Sequence, residues 1–159
     1  MTAVRIEALS PTDERSQLAI TTFLNEMVER VGVDVLEIDV AQEAREDLGK
    51  NFFVAALDDR DNVVGCGALH QVAPGVGQIR RMWVNPVLRG RSIGRRLLAA
   101  LEGAAAVAGF DVIRLEVYEN LTEAILLFET SGYQQVEPFE ESPPDLRAYE
   151  RRILTFSGT

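Results

Sequence analysis

Apolar positions along this chain follow two spacings, the two-residue period of strands and the roughly 3.6-residue period of helices. Short alternating runs bounded by turn-forming residues predict strands, and longer runs with apolar residues three and four apart predict helices. The predicted strands are 4–9, 52–59, 63–72, 78–84, 111–119, 134–139 and 148–156. The predicted helices are 10–32, 39–50, 93–109 and 121–132.

One connection joins two strands that we expect to be parallel. The strand 78–84 leads into the helix that begins near Ile93, and this helix leads into the strand 111–119. A strand, a helix and a strand in this order form a crossover between parallel neighbours. The pattern therefore predicts a mixed α/β sheet, mostly antiparallel, with one parallel crossover and flanking helices.

Turn-forming residues mark the ends of several elements. Ser10 is the expected N-cap of the first helix, with Pro11 in its first turn. Pro86 ends the strand before it, because proline cannot donate to a sheet ladder, and Gly109 is a typical helix terminator. The stretch 140–147, EESPPDLR, predicts a mobile loop.

Length and composition predict one packed domain over residues 1–159, with 47% apolar residues. Cys66 is the only cysteine, so no internal disulfide is expected, and the first ten residues lack the pattern of a signal peptide. No apolar run approaches the roughly 20 residues of a membrane span. These features predict a cytoplasmic protein with no membrane partner.

Charge is distributed unevenly. The formal net charge of −9 argues against a nucleic-acid partner, which requires a broad basic face. Six of the sixteen basic residues nevertheless fall within seventeen positions around a helix start: Arg80, Arg81, Arg89, Arg91, Arg95 and Arg96. A helix N-terminus directs free amides and positive dipole toward one point, and Gly90 and Gly94 allow close approach. The cluster predicts a phosphate or pyrophosphate site.

The residues around this cluster resemble a known family. The run RMWVNPVLRGRSIGRRLLAALE, followed by RLEV and EAILLFETSGYQQV, resembles the acyl-CoA-binding core of the GNAT superfamily of N-acyltransferases. Arg89 and Gly94 match the first and last positions of the family's hexapeptide signature, whereas Ser92 replaces its middle glycine. The resemblance covers about Val54 to the C-terminus and implies the GNAT acyl-CoA N-acyltransferase fold.

The resemblance implies acetyl-CoA as cosubstrate and no metal. Amides at the helix start would hold the pyrophosphate, the strand end 82–84 would pair with the pantetheine arm, and Phe128 would pack beside the thiol end. The implied cofactor-binding residues are Met82, Trp83, Val84, Arg89, Gly90, Arg91, Ser92, Ile93, Gly94, Arg95, Asn120 and Phe128.

The catalytic residues depart from the family pattern. Gln78 stands where many relatives carry a glutamate base, and Phe128 stands where many carry a tyrosine acid. An amide and a phenyl ring cannot transfer protons, which leaves His70, Glu116 and Tyr118 as candidates, with surface or core positions as the alternative for each. Cys66 and Tyr133 are expected in the core rather than in catalysis.

The acceptor is expected between the N-terminal helices and the late acidic loop. Phe23, Met27 and Asp34 would flank it, and the alternatives for the loop carboxylates are amine binding or a solvated acidic surface. These carboxylates are Glu140, Glu141 and Asp145.

The resemblance implies an N-acetyltransferase that moves an acetyl group from acetyl-CoA to a primary amine of a small molecule or peptide by direct ternary-complex attack. The departures from the pattern favour a second hypothesis, a non-catalytic acyl-CoA-binding regulatory module. A homodimer is the expected assembly, because dimers are the commonest homo-oligomers.

Overall fold

A seven-stranded sheet forms the middle layer of the protein, and helices pack on both of its faces. The computed structural model describes residues 3–10, 12–31, 51–89, 92–139 and 145–153. The strands are β1 (Arg5–Ala8), β2 (Asn51–Leu57), β3 (Val63–Ala73), β4 (Val76–Val84), β5 (Val112–Tyr118), β6 (Gln134–Val136) and β7 (Leu146–Arg152). The helices are α1 (Glu14–Val31), α2 (Ile93–Ala108) and α3 (Thr122–Thr130), with a short 3₁₀ turn at Pro86–Leu88.

The strand order is β1-β2-β3-β4-β5-β7-β6. Only the β4–β5 pair is parallel among the described strands, and α2 connects its two members. The predicted mixed sheet and its single crossover are thereby confirmed.

Some predicted boundaries shift in the structure. The first helix begins at Glu14 rather than after Ser10, because an Asp13 carboxylate oxygen accepts from the backbone N–H of Arg15 and takes the capping role expected of Ser10. The last strand begins at Leu146, two residues before its predicted start. Pro11, the predicted helix 39–50 and residues 140–144 of the predicted loop lie outside the described residues.

Alternate residues of the central strands face opposite helices, as the two-residue period requires. Ala55 of β2 packs in one cluster with Ala19 and Ile20 of α1, whereas its neighbour Val54 packs in another with Leu97 of α2. The sheet therefore has an α1 face and an α2 face. No helix in the described ranges is long and apolar enough to cross a membrane.

A β-bulge interrupts β4. Arg81 and Met82 together oppose the single Gly67 of β3, and Arg81 has a left-handed backbone with φ of 57°. A bulge bends its strand and increases the local twist. β4 pairs with β5 only over 76–79, and the two strands separate beyond that point.

Gly65 of β3 allows α2 to pack closely against the sheet. A Cβ at this position would lie 2.9 Å from the carbonyl oxygen of Trp83 and 3.2 Å from a methyl carbon of Leu97. Gly103 of α2 is exposed, and a Cβ there would meet no atom within 4 Å.

The two glycines should therefore respond in opposite ways to alanine. We expect Gly65→Ala to lower the free energy of unfolding by about 1–3 kcal/mol through overpacking. Gly103→Ala should raise it by about 0.5–1 kcal/mol, because alanine favours a helix interior. Urea denaturation of both variants measures this difference, and equal stabilities would contradict the packing of α2 on β3.

Candidate active site

A cleft of about 540 Å³ opens where β4 and β5 separate. Both strands end at the same edge of the sheet because they are parallel, and α2 and α3 begin just beyond their ends. Ligands of α/β sheets commonly bind at such an edge. The cleft is lined by the end of α1, the second half of β4, the start of α2, the end of β5 and much of α3.

The N-terminus of α2 faces this cleft. Ser92 is its N-cap, with a left-handed backbone at φ 63° and no side-chain capping bond, so the serine hydroxyl does not take the capping role. A Cβ on Gly94 would lie 3.2 Å from a methyl carbon of Leu127 in α3, so glycine lets the two helices approach. With no acidic residue in the first turn of α2, the helix start is suited to an anion.

Only some arginines of the predicted cluster line the cleft. Arg80, Arg81, Arg89 and Arg95 line it. Arg96 does not line it and donates to the carbonyl oxygen of Val4 at 2.9 Å. Arg91 and Gly90 of the predicted pyrophosphate loop lie outside the described residues.

Ion pairs join α1 to both sides of the cleft. The Arg89 guanidinium donates to Oε1 of Glu26 at 2.6 Å, which links α1 to the loop after β4. Arg30 pairs with Glu123 at the start of α3, and its guanidinium holds the pKa of that carboxyl below its usual value. Asn120 donates to the carbonyl oxygen of Arg30 at 3.0 Å and is absent from the cleft lining, unlike its neighbour in the chain, Leu121.

Apolar side chains form much of the wall. Met82, Trp83 and Val84, the residues expected along the pantetheine arm, line the cleft, and so does Ile93 at the start of α2. Phe128 also lines it.

Phe128 is buried and lies edge-to-face against Tyr133, with ring centroids 5.8 Å apart. The Tyr133 hydroxyl donates to a Glu102 carboxylate oxygen at 3.1 Å, and burial raises its pKa. The core position predicted for Tyr133 is confirmed.

Glu116 and Tyr118 are the predicted catalytic residues that the fold brings to the cleft. They lie on one face of β5, as predicted, because the intervening Val117 is buried on the other face. Oε2 of Glu116 is buried and makes no hydrogen bond within the described part of the chain. A carboxylate in this state is suited to bind a donor supplied by a ligand.

His70 lies elsewhere. It is 8% exposed, is opposite Gln78 in the β3–β4 register and does not line the cleft. Gln78 is likewise 9% exposed, and its Oε1 accepts from Nε of Arg114 at 3.0 Å. Gln78 is therefore a buried acceptor inside the sheet.

Cys66 occupies the core position that the sequence predicts. Its side chain is fully buried in the α1-face cluster, and Sγ donates to the carbonyl oxygen of Arg81 at 3.2 Å. Burial raises the pKa of the Cys66 thiol to about 12. A thiol in this environment is a poor nucleophile near neutral pH.

Of the predicted acceptor residues, Phe23 and Met27 line the cleft. Asp145 is a turn residue whose carbonyl oxygen accepts from the backbone N–H of Glu119. Asp34, Glu140 and Glu141 lie outside the described residues.

The sequence interpretation missed the contact of Arg114 with Gln78 beside the cleft and the two ion pairs at the cleft. The alternation that placed Glu116 and Tyr118 on one face of β5 also places Arg114 there. That signal was present in the sequence. The partners of Arg89 and Arg30 were not predictable, because they come from elements 63 and 93 residues away.

Similar proteins share this fold and parts of the sequence. An Azospirillum brasilense protein named IAA acetyltransferase is 39% identical over 84 residues, which cover 52% of this chain and 55% of that protein. A Klebsiella pneumoniae structure, described as a proposed acyl-CoA N-acyltransferase, superposes with a TM-score of 0.75 at 28% identity, covering 94% of this chain and 97% of its own. A Staphylococcus aureus acetyltransferase of the GNAT family has a TM-score of 0.77 at 17% identity, with 95% and 99% covered, and shows the same fold.

The model of the acetyltransferase (GNAT) family matches residues 19–133, more than half of the chain. This match spans most of α1, the strands on both sides of the cleft and both helices that begin there. The chain belongs to the GNAT family of acetyltransferases.

Proposed function

We propose that this protein transfers an acetyl group from acetyl-CoA to a primary amine of a small molecule or peptide, within a ternary complex. The observation that carries the proposal is the cleft between β4 and β5, which ends at the N-terminus of α2. The cleft joins an apolar channel between strands to a helix start that is suited to an anion. Acetyl-CoA has the matching chemistry, a narrow arm ending in a pyrophosphate.

The residues of the cleft fit this cosubstrate. β5 does not pair with the second half of β4, so that edge of residues 82–84 is free of strand pairing and can bind the amide-containing pantetheine arm. Amides at the start of α2, together with Arg89 and Arg95, would bind the pyrophosphate. Main-chain N–H groups near Val84 would stabilise charge on the carbonyl oxygen during transfer.

We assign the proton acceptor to Glu116 rather than to His70. Glu116 lines the cleft and has a buried carboxylate oxygen that accepts from no donor among the described residues, whereas His70 lies outside the lining. The carboxylate would take a proton from the attacking amine, and Tyr118 is a second titratable group on the same face. The thiol can leave without a side-chain acid, since its ordinary pKa of about 8.5 makes it a fair leaving group.

The alternative is a regulatory module that binds acyl-CoA without turnover. Phe128 favours this alternative, because it is an apolar and buried residue at the family's tyrosine position. Gln78 also favours it, because its side chain is hydrogen-bonded to Arg114. Both hypotheses require the same cosubstrate site. They differ in whether an amine causes release of the thiol.

Purified protein should therefore release CoA thiol only when a suitable amine is present. The assay uses acetyl-CoA with pooled amines, amino acids, polyamines and peptides, followed by a thiol reagent, to which the buried Cys66 contributes little signal. Acetyl-CoA at about 100 times its Kd should add roughly 2.7 kcal/mol of stability, or about 5–10 °C in Tm. Stabilisation without release from any pool would favour the regulatory module, and the absence of both would reject the acetyl-CoA site.

Arg89→Gln should weaken CoA binding by about 10- to 100-fold, the effect of losing charge-assisted hydrogen bonds worth about 1.5–3 kcal/mol. Calorimetric titration measures the change. Arg96→Gln is the matched control, because Arg96 is an exposed arginine of the same region outside the cleft. An equal loss in both variants would indicate a general charge effect and contradict a direct contact from Arg89.

Glu116→Gln should lower kcat by about 10²–10⁴-fold, the usual contribution of a general base, while the Kd for CoA changes little. Steady-state thiol release and calorimetry measure the two quantities separately. His70→Gln is the control, with kcat expected to stay near that of the unmodified protein. A large loss in the His70 variant with none in the Glu116 variant would reverse the assignment.

A further inference from the structure

A row of polar side chains crosses the α1 face of the sheet next to the cleft. Its members are directly opposite one another in the register of five neighbouring strand pairs, β2–β3, β3–β4, β4–β5, β5–β7 and β7–β6. They are Asn51, His70, Gln78, Arg114, Glu150 and Gln134. His70 and Gln78 of this row are buried, and burying polar groups costs free energy unless they are bonded. The row therefore suggests a role other than packing.

Arg114 is the cation of this row. It lies on β5 two residues before Glu116 and, unlike Glu116, does not itself line the cleft, so an acceptor would reach it from the α1 face beside the cleft. Two contacts position it. Its Nε donates to the buried Oε1 of Gln78 at 3.0 Å, and its guanidinium carbon lies 4.3 Å from the ring centroid of Phe139. These contacts use one donor and one flat face of the guanidinium. No ion pair to Arg114 exists within the described ranges, although its side chain is half-buried. The terminal nitrogens thus retain a forked pair of donors, which suits a carboxylate.

Glu116 lies two residues further along β5 on the same face, about 6.5 Å away between Cα atoms at the usual strand rise. The two opposite charges do not form an ion pair with each other, since none joins them in the described part of the protein. Oε2 of Glu116 is buried and has no donor in the ranges that the structure describes. A ligand with a positive and a negative group a short distance apart could satisfy both side chains.

Glu150 is the nearest competing carboxylate. It is opposite Arg114 in the β5–β7 register but forms no ion pair with it in the described structure. An exposed or half-exposed cross-strand pair of this kind contributes little stability. A bidentate carboxylate of a ligand can therefore compete with Glu150 for the Arg114 guanidinium.

We propose that Arg114 binds an anionic group of the acceptor while Glu116 receives its amine, so that the acceptor is an amine that also carries a carboxylate, as an amino acid does. This inference rests on the proposed acetyl transfer for the identity of the reacting amine. Gln78 is then a positioning residue, which holds the Arg114 fork toward the acceptor. Amines without an anionic group leave Arg114 unsatisfied and are poorer acceptors.

The first test compares amino acids with the corresponding amino acid amides. Amidation removes the carboxylate and keeps the amine and the side chain. It also lowers the basicity of the amine, which by itself would favour the amide as a nucleophile. We expect kcat/KM for thiol release to be about 10- to 100-fold higher for the acids, the effect of a hydrogen-bonded charge. Equal values, or a preference for the amides, would overturn the proposal.

The second test uses variants. Arg114→Gln should remove the preference for the acids and leave the weak activity with the amides, and Arg114→Lys should restore part of the preference through its charge. Arg152→Gln is the matched control, since Arg152 is an exposed arginine of β7 on the same face. Equal loss of preference in the Arg114→Gln and Arg152→Gln variants would show a general field effect and overturn the assignment. The acetyl-CoA Tm shift of each variant reports whether its fold is retained.

Calorimetric binding of the same acids and amides to CoA-saturated protein separates this inference from the proposed reaction. Binding of acids that depends on Arg114, without thiol release, would support the anion site and count against the transferase. Thiol release from acids and amides alike would support the transferase and reject the anion site. Failure of the acids to bind more tightly than the amides would reject the anion site whether or not acetyl transfer occurs.

Discussion

The bulge at Arg81 is the constraint on which the rest of the site depends. A regular β4 would continue to pair with β5 as far as Tyr118, where β5 ends, and the sheet would be closed at this edge. The extra residue bends β4 away after Ile79, so the backbone of its second half faces a cleft rather than a strand. Because Cys66 donates to the carbonyl oxygen of Arg81, the core below also holds the bulge in place.

The cleft is rich in positively charged residues, although the chain as a whole is negatively charged. The chain carries a formal charge of −9, yet five arginines line the cleft. The helix α2, which begins at the cleft, has no acidic residue in its first turn. A local concentration of donors binds phosphate at short range, where screening by salt is weaker than between distant surface charges. The ion pair of Arg89 with Glu26 keeps one of these arginines at the cleft before a ligand binds.

Residues suited to two different ligands lie on opposite sides of β5. The gap between β4 and β5 provides apolar walls, and the start of α2 is suited to an anion. Together these features suit a long cosubstrate. The α1 face provides Arg114, Glu116 and Tyr118, which suit a small charged acceptor. Strand alternation separates these functions, because neighbouring residues of β5 point in opposite directions. One strand can thus present a reacting amine to a thioester from the opposite side.

The sequence by itself determined the described elements, the single crossover and the basic helix start, because helix and strand periods are local and the basic residues of the helix start are close in the chain. It also indicated Glu116 and Tyr118, which share a face by alternation alone. Only the tertiary structure decided that His70 lies outside the cleft lining, that Arg89 pairs with Glu26, and that Gln78 and Arg114 meet across 36 residues. These outcomes depend on strand register and on the bulge, which are set by the packing of distant segments, and a shift of one residue would reverse every side chain of a strand.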